Sequence, residues 1–481
     1  MTFIRALTTV SVVTLLSLPI FTAAQEWKPA AGPLMTRWAK DVAPDKALPE
    51  YPRPQLVRKE WVNLNGLWDY AIAPKADATP NQYQGKILVP YPVESALSGV
   101  MKRVGADNKL WYRRTFDAPR LAEGGRLLLH FGAVDWETTV WLNGKQIGSH
   151  RGGYDPFTFD VTDALKATGP QELIVSVWDP TNDGQQPRGK QVKNPGGIFY
   201  TSVTGIWQTA WLEPVPKSYI RSLKITPDVD GQQVKIQADT QGDPGQISAT
   251  VLDGDREIAS ANGTGAITIK IDNPRLWSGE SPFLYGLRVK AGDDAVESYF
   301  GLRKIEVKKD DKGVNRIYLN NHPIFMVGPL DQGFWPDGIY TAPTDEALKS
   351  DIEITKKLGF NATRKHVKVE PARWYYWCDK LGLLVWQDMP AGDNGMVRAR
   401  RGQTPTDKSN DPKAVEEFDA ELKSLIDTHY NHPSIIMWVV FNEGWGQHET
   451  PRTVNWVKQY DPSRLINPAS GWTDHPVGDV I

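Results

Sequence analysis

A single acidic side chain at the end of an apolar run is the first candidate for chemistry in the sequence. Ile435 to Phe441 is unbroken, apolar and rich in β-branched and aromatic residues, which is typical of a strand buried inside a parallel sheet. Asn442 and Glu443 follow at its carboxyl end. In an α/β barrel that end faces the active-site mouth, and an ionised carboxylate there is costly unless it is paired or used. From the strand alone, two roles of Glu443 remain open: a catalytic residue, or a structural glutamate that caps the next loop.

The residues before this glutamate separate the two readings. The segment from Asn431 to Trp438 reads Asn-His-Pro-Ser-Ile-Ile-Met-Trp, and three residues separate it from Asn442 and Glu443. This pattern resembles the acid/base signature of family 2 glycoside hydrolases, the β-galactosidase, β-glucuronidase and β-mannosidase group. It departs from the family at Val439, where members often have a small residue. The resemblance implies that Glu443 is the acid/base and that Asn442 hydrogen-bonds the 2-hydroxyl of the sugar.

Three polar residues at other predicted strand ends extend the resemblance. Gly359 to Arg364 reads Gly-Phe-Asn-Ala-Thr-Arg and resembles the family's Asn-x-x-Arg motif, whose arginine lies beside the nucleophile. His366 comes two residues after Arg364, whereas the family usually has histidine at the third, so substrate binding and a polar role at the barrel rim are both open. Asp388 ends the third predicted strand. It is expected either to bind a sugar hydroxyl or to hold Arg364.

Aromatic and acidic residues in two loops complete the predicted site. Asp331 and Trp335 follow the first predicted strand, and an acidic and aromatic pair in a mouth loop is suited to hold a sugar ring. Trp445 comes two residues after Glu443. The predicted substrate-binding set is therefore Asn442, Arg364, His366, Asp388, Asp331, Trp335 and Trp445. None of these loop and rim residues indicates which sugar is bound.

The second carboxylate that the resemblance requires is not identified. A retaining glycosidase needs a nucleophilic carboxylate roughly 5–5.5 Å from the acid. In the family this is a glutamate at the end of the seventh barrel strand. Asp474 and Asp479 match no nucleophile motif. We therefore expect the nucleophile beyond Ile481 and interpret the chain as truncated at its C-terminus.

No cofactor or metal site is predicted. His429 and His432 are three residues apart, but the turn at Pro433 favours a structural role for both. The single cysteine, Cys378, lies in an apolar helical pattern and excludes an internal disulfide.

The hydrophobic pattern predicts three domains that position these residues. Residues 25–50 are rich in proline and alanine and are predicted to be a tether. Short alternating strands from 51 to 216 predict an all-β domain, and Phe131 to Gly144 resembles the sugar-binding jelly roll of the same family. Residues 217–308 have the strand spacing of an immunoglobulin-like β-sandwich. The predicted fold class is therefore multidomain β plus α/β.

From residue 309 to 481, strands alternate with amphipathic helices, as in a parallel barrel. The predicted strands are 324–328, 361–365, 383–386 running on to Asp388, 435–441, and a fifth after Asp461. The predicted helices are 345–358, 371–380 and 411–430. A complete (β/α)8 TIM barrel needs eight strands and about 250 residues. The pattern therefore predicts a partial barrel.

The composition and the N-terminal sequence narrow the expected partners and the cellular location of the protein. The chain has 481 residues and a formal net charge of −2, which gives no reason to expect nucleic acid or an anionic membrane as partner. Arg5 is the only charge before Glu26, and an apolar stretch then leads to Thr22-Ala23-Ala24. This pattern predicts a cleavable signal peptide at residues 1–24 and a periplasmic or secreted protein with no membrane attachment after cleavage.

Two functions remain open from the sequence. The resemblance implies a retaining exo-β-glycosidase that hydrolyses O-glycosyl bonds of a carbohydrate substrate. The alternative is a non-catalytic carbohydrate-binding protein, a jelly roll on a degenerate barrel. The sugar and the oligomeric state are not predicted.

Overall fold

A jelly roll of two facing antiparallel sheets forms the first part of the fold. The computed structural model describes residues 27–32, 34–392, 407 and 411–481, so the predicted signal peptide lies outside the described residues. Within them, one sheet has the strand order Val62–Asn63, Ala210–Val215, Arg126–Phe131 and Phe157–Asp160. The other has the order Gly85–Val89, Gly66–Pro74, Asn108–Phe116, Gln171–Trp178, Glu137–Leu142 and Lys145–Arg151.

Alternating apolar residues of both sheets fill the core of the jelly roll. Leu129 and Val175 are fully or almost fully buried in one cluster. The hairpin after Leu142 turns at Asn143 and Gly144 with φ of 53° and 81°, the left-handed values that a two-residue Asn-Gly turn requires. The remaining short elements are the strands Val134–Asp135, Gln191–Val192, Tyr200–Thr201 and Gly205–Ile206, and the 3-10 helices Ala39–Asp41, Ala96–Ser98, Thr162–Ala164 and Thr181–Asp183.

A smaller β-sandwich follows, as the strand spacing predicts. Its first sheet contains Tyr219–Asp228, Gln233–Gln241 and Ile267–Lys270. Its second contains Arg256–Gly263, Ile247–Asp253, Tyr285–Ala291 and Asp294–Phe300. Alternating side chains such as Val234, Val251 and Val289 are buried between the sheets. This domain separates the jelly roll from the barrel along the chain.

The last part is an open parallel sheet with helices on one face. A small antiparallel sheet precedes it, with the strands Ile305–Lys309, Asn315–Leu319 and His322–Pro323 joined by hairpins. The parallel strands are, in spatial order, Leu330–Asp331 (β1), Ala362–Lys365 (β2), Leu384–Asp388 (β3), Ile435–Val439 (β4) and Leu465–Asn467 (β5). The helices are Asp345–Lys357 (α1), Ala372–Leu381 (α2), Pro412–His429 (α3) and Thr450–Tyr460 (α4).

Four of the five predicted barrel strands and all three predicted helices are present at the expected places. The Thr344 hydroxyl accepts a hydrogen bond from the Ala347 N–H at 3.1 Å and so caps the N-terminus of α1. The first strand is the exception, because it begins at Leu330 rather than within 324–328. Pro329 has no N–H to donate, so the regular ladder with β2 starts only after it.

The two faces of the parallel sheet pack against different elements. On one face Val385, Trp438 and Ile466 join the side chains of the helices in one core. On the other face Leu384 and Ile436 belong to a smaller cluster with residues of the preceding antiparallel sheet. Among the described residues the outer strands β1 and β5 do not pair with each other, so the barrel is partial. Within the same residues, no helix is long and apolar enough to cross a membrane.

Residues 34–50, the larger part of the tether predicted at 25–50, pack against two domains. The Thr36 hydroxyl and N–H both donate to the Asp337 carboxylate, at 2.6 and 2.8 Å. The Trp38 ring meets the Trp335 ring edge-on at 6.0 Å. Ala39, together with other apolar residues of the segment, is buried against the jelly roll. The segment therefore joins the jelly roll to the barrel rather than hanging free.

Candidate active site

Glu443 stands at the mouth of the partial barrel because the chain continues beside β5 after β4 has ended. Phe441 and Glu443 donate their N–H groups to the carbonyls of Pro468 and Ala469, at 3.1 and 2.7 Å. Glu443 then adopts a left-handed conformation with φ of 54°, and Gly444 follows with φ of 84°. A left-handed non-glycine residue is uncommon and re-aims its side chain away from the strand direction. The Glu443 side chain is half-buried at the carboxyl end of the sheet.

Arg364 connects the ends of three strands beside Glu443. Its guanidinium makes a bidentate pair with the Asp388 carboxylate, with both N–O distances 2.8 Å. The same Nη2 donates to Asn442 Oδ1 and to the Ser470 hydroxyl, each at 2.9 Å. Asp388 is fully buried, whereas 19% of the Arg364 side chain is exposed. Since Asp388 holds Arg364 on one side, the arginine is fixed for its contact with Asn442 on the other.

His366 lies against the same carboxylate. Its Nδ1 is 3.2 Å from Asp388 Oδ2, without the alignment of a hydrogen bond, and the ring is buried. The N–H of Val367 donates to the same Oδ2 at 3.2 Å. His366 is therefore part of the polar layer under the mouth, next to the pair that positions Asn442.

Asp331, at the end of β1, belongs to a largely buried cluster of charges at the carboxyl ends of β1 and β2. Lys365 Nζ lies 2.6 Å from the Asp331 carboxylate and 2.9 Å from Glu370. Lys368 also pairs with Glu370 at 2.9 Å, and it donates to the carbonyls of Gly333 and Tyr340. Burial raises the pKa of Asp331, but the Lys365 ammonium outweighs it and holds the pKa below its usual range. The cluster thus keeps Asp331 ionised and fixes the loop.

Asp331 and Trp335, the pair predicted to hold a sugar ring, each contact other residues of the protein. The Asp331 carboxylate is bound by Lys365 and by the Gly333 N–H at 2.8 Å. The Trp335 ring packs edge-on against Trp38, while its backbone pairs with Ile339. Phe334, which the sequence did not single out, stacks on Tyr200 of the jelly roll at 3.9 Å.

A loop of the jelly roll reaches the barrel mouth. The N–H groups of Arg188 and Gly189 both donate to the Ala391 carbonyl at 3.0 Å. Gly189 has φ of 60°, and a Cβ there would clash with the Val367 carbonyl, so the close approach requires glycine. Beyond it, Phe199 meets Trp445 edge-on at 5.9 Å. Trp445 is thereby placed in an aromatic wall shared by two domains.

The same loop brings Lys190 into electrostatic range of Glu443. Burial lowers the pKa of Lys190, while the attraction of the Glu443 carboxylate opposes that shift. Lys190 and Ser470 were missed by reasoning from the sequence, because both lie in loops without a local pattern. Only the approach of the two domains and the turn after β5 bring them to the site.

The two acidic residues near the C-terminus have other partners. Asp479 pairs with Lys458 at 2.6 Å and accepts from the Ile466 N–H at 3.0 Å, so it fastens the segment after β5. Asp474 accepts from the Gly471 N–H at 3.1 Å. Neither geometry marks a free nucleophile. In the described part of the chain, no group of three or more His, Cys, Asp or Glu side chains is placed to hold a metal ion.

Models of one enzyme family match most of the chain. Residues 311–481 match the TIM barrel domain of glycosyl hydrolases family 2, and residues 94–205 match the galactose-binding domain-like region of the same family. A third family 2 model matches residues 218–303. The chain belongs to glycoside hydrolase family 2.

Individual relatives are consistent with this family. A β-galactosidase of Leuconostoc mesenteroides is 27% identical over 448 residues, covering 86% of this chain and 39% of the relative. A β-glucuronidase of Paenibacillus borealis is 24% identical over 425 residues, covering 82% of this chain and 69% of the relative. The chain thus spans well under half the length of the first of these relatives.

Solved structures of the family share the fold. The β-D-glucuronidase of Dictyoglomus thermophilum superposes with a TM-score of 0.71 at 20% identity, over 86% of this chain and 73% of that one. The jelly roll, the immunoglobulin-like sandwich and the partial barrel are therefore the family 2 architecture.

Proposed function

We propose that the protein is a retaining exo-β-glycosidase in which Glu443 is the general acid and base. The observation that carries the proposal is the placement of Glu443 at the mouth, next to an Asn442 that Arg364 and Asp388 hold in position. Glu443 protonates the leaving oxygen in the first step. In the second step it takes a proton from the attacking water.

Asn442 is oriented to bind the sugar. A guanidinium can only donate hydrogen bonds, so the Asn442 atom that faces Arg364 Nη2 at 2.9 Å must be the oxygen. The Nδ2 amide is then left to donate to a substrate oxygen. A donor fixed beside the acid supports the 2-hydroxyl contact that the family signature implies.

The mechanism also needs a nucleophilic carboxylate, and we propose that none of the described residues within 27–481 supplies it. The strongest candidates inside this range have structural partners: Asp388 holds Arg364, and Asp479 holds Lys458 and the Ile466 N–H. In a retaining enzyme the nucleophile must be free to attack the anomeric carbon. A carboxylate bound by a bidentate arginine is poorly placed for this step.

The substrate class is tested with nitrophenyl glycosides and the full-length protein as its organism makes it. Relatives named β-galactosidase and β-glucuronidase suggest a panel of β-D-galactoside, β-D-glucuronide and β-D-mannoside. We expect turnover of at least one, with the β-anomer as the first sugar seen by proton NMR. An α-anomer as first product would contradict retention. Binding of the sugars without turnover of any glycoside would support the carbohydrate-binding alternative instead.

We further propose that the protein is exported to the periplasm or secreted. The support is the apolar N-terminal stretch that ends in small residues before Gln25. N-terminal sequencing of protein from the producing cells should find a start near Gln25. A mature protein that retains residues 1–24 would contradict export by a cleaved signal.

A further inference from the structure

The jelly-roll loop of residues 188–200 carries a lysine whose charge has no close partner. Lys190 is half-buried, and in the described part of the chain no carboxylate lies within ion-pair distance of its Nζ. Lys193, three residues later in the same loop, is instead paired with Asp183. The carboxylate that attracts Lys190 is Glu443, which acts from beyond ion-pair distance. A half-buried ammonium is partly deprived of water, so an opposite charge close to it would be favourable.

Two aromatic rings connect this lysine to the candidate acid. Asn442 to Trp445 is a tight turn that carries Glu443, and the Trp445 N–H donates to the Asn442 carbonyl at 3.0 Å. The Trp445 ring meets the Phe199 ring edge-on at 5.9 Å, and the centre of the Phe199 ring lies 6.0 Å from Lys190 Nζ. All three side chains keep exposed surface. They therefore form one accessible wall that runs from the mouth of the barrel to the jelly roll.

The protein holds this wall in place by contacts on both sides of Lys190. Before it, Gly189 is fastened to the barrel through the Ala391 carbonyl. After it, the Tyr200 N–H donates to the Lys190 carbonyl at 2.9 Å, and the Tyr200 ring stacks on Phe334 of the barrel at 3.9 Å. The backbone of Lys190 is thus fixed relative to Glu443, so the surface exists before a substrate binds.

The contacts of Asn442 and Trp445 indicate which part of a substrate would meet the wall. Arg364 holds Asn442 toward the neighbouring strand ends of the barrel, where its amide is left to meet the sugar. Trp445 instead faces Phe199 of the jelly roll. An acid that protonates the glycosidic oxygen lies between the sugar and the leaving group. The wall is therefore on the side of the leaving group.

The chemistry of the first step determines the charge that this side favours. Glu443 must carry a proton before it can protonate the leaving oxygen, and the neutral acid no longer attracts Lys190. A negative group on the substrate would replace the charge that Glu443 has lost. The aromatic rings beside the lysine provide apolar surface for the ring that bears this group.

We propose that Lys190 is a specificity-determining residue that selects leaving groups with a negative charge. The charge is a carboxylate or a sulfate on the sugar or aryl ring that is released, and Phe199 and Trp445 contact that ring. The proposal rests on the proposed function, since hydrolysis defines the leaving group, and it adds the substrate class on that side of the bond.

The test compares leaving groups of similar shape on the full-length protein. The substrates are para-carboxyphenyl, para-sulfophenyl and para-carbamoylphenyl β-glycosides of D-galactose, D-glucuronate and D-mannose. We expect wild type to have a higher kcat/KM with at least one anionic leaving group than with the carbamoyl one, and the better anion identifies the group selected. Lys190→Met should lower this ratio about tenfold, the effect of one hydrogen bond to a charged group. Lys190→Gln should do the same, whereas Lys190→Arg should preserve the ratio.

Lys193→Met is the matched control, because it changes the net charge of the same loop equally but removes a lysine that already has a partner. It should leave the ratio as in wild type. The proposal is overturned if wild type does not distinguish the anionic from the carbamoyl leaving groups. It is also overturned if Lys190→Met slows all three equally, or if Lys193→Met lowers the ratio as much.

Calorimetry with the corresponding thioglycosides, which are not cleaved, separates this proposal from the proposed function. If wild type cleaves no glycoside, the proposed function fails, and the binding data decide the role of Lys190 alone. Tighter binding of a carboxyphenyl or sulfophenyl thioglycoside than of the carbamoylphenyl one, lost in Lys190→Met but not in Lys193→Met, supports it. Equal binding, or no binding of any of the three, overturns it.

Discussion

Replacing Arg364 of β2 by methionine removes the group that joins the ends of β3, β4 and β5 at the mouth. The guanidinium makes four hydrogen bonds, two of them to an Asp388 that is 1% exposed. Removing one partner of a buried ion pair costs about 3–5 kcal/mol, because the other charge is left buried and unpaired. Since about a fifth of the Arg364 side chain is exposed, we expect the lower end, about 3 kcal/mol.

The assay is urea unfolding of residues 25–481, followed by tryptophan fluorescence and by circular dichroism. Because the chain has several domains, its unfolding is not treated as one two-state event. The free-energy change is taken from the transition that shifts between variants. In Arg364→Met/Asp388→Asn the buried charge is also removed, while asparagine still accepts from the Val367 N–H. We expect the double variant to recover about 2 kcal/mol of the loss.

A matched control is the surface pair of Lys349 and Glu353 on α1, whose side chains are 28% and 46% exposed and 3.3 Å apart. Lys349→Met should cost less than about 1 kcal/mol, as exposed pairs do. If Arg364→Met costs no more than Lys349→Met, or if the double variant is as unstable as the single one, the buried pair does not organise the mouth as described.

Three further predictions follow from other parts of the fold. Gly189→Ala should lower the melting temperature more than Gly144→Ala, because both have a positive φ but only Gly189 faces a carbonyl, that of Val367; equal shifts in differential scanning fluorimetry would contradict the domain contact. Burial raises the pKa of Glu94 to about 8, so the folded state keeps a proton that the unfolded chain has released, and stability should fall as pH rises from about 4.5 to 8. Glu94→Gln should flatten that fall in urea midpoints at pH 5 and pH 8, and an unchanged slope would refute it. A polypeptide of residues 25–481 should release no nitrophenol, and turnover that Glu443→Gln abolishes would send the search for the nucleophile back to Asp474.

The barrel elements could be predicted from the sequence because their signals are local. The apolar run that begins at Ile435 needs no knowledge of its neighbours to indicate a buried strand, and Thr344 caps α1 through a residue only three positions away. Glu443 could be found for the same reason, since its signature is contained in thirteen consecutive residues. The strand before Glu443 could be predicted from an unbroken apolar run because both of its faces are buried.

The rest of the site depends on contacts between distant parts of the chain. Lys190 reaches the mouth only because Gly189 lets the jelly-roll loop approach Val367, and no local pattern carries that information. The ion pair of Asp331 with Lys365 was not predicted, because it joins two strands that are distant in sequence. The first strand was misplaced because Pro329 has no N–H to donate to β2, so the paired residues begin only at Leu330.

The central claim, that Glu443 is the acid, is tested most directly by the leaving-group dependence of Glu443→Gln in the full-length protein. A dinitrophenyl leaving group departs without protonation, whereas an alkyl leaving group requires it. We predict that the variant loses about 10²–10⁴-fold in the rate of glycosidic cleavage with the alkyl β-glycoside, while the first step with the dinitrophenyl glycoside is nearly unchanged. An equal loss on both substrates would show that Glu443 is structural or is not the acid.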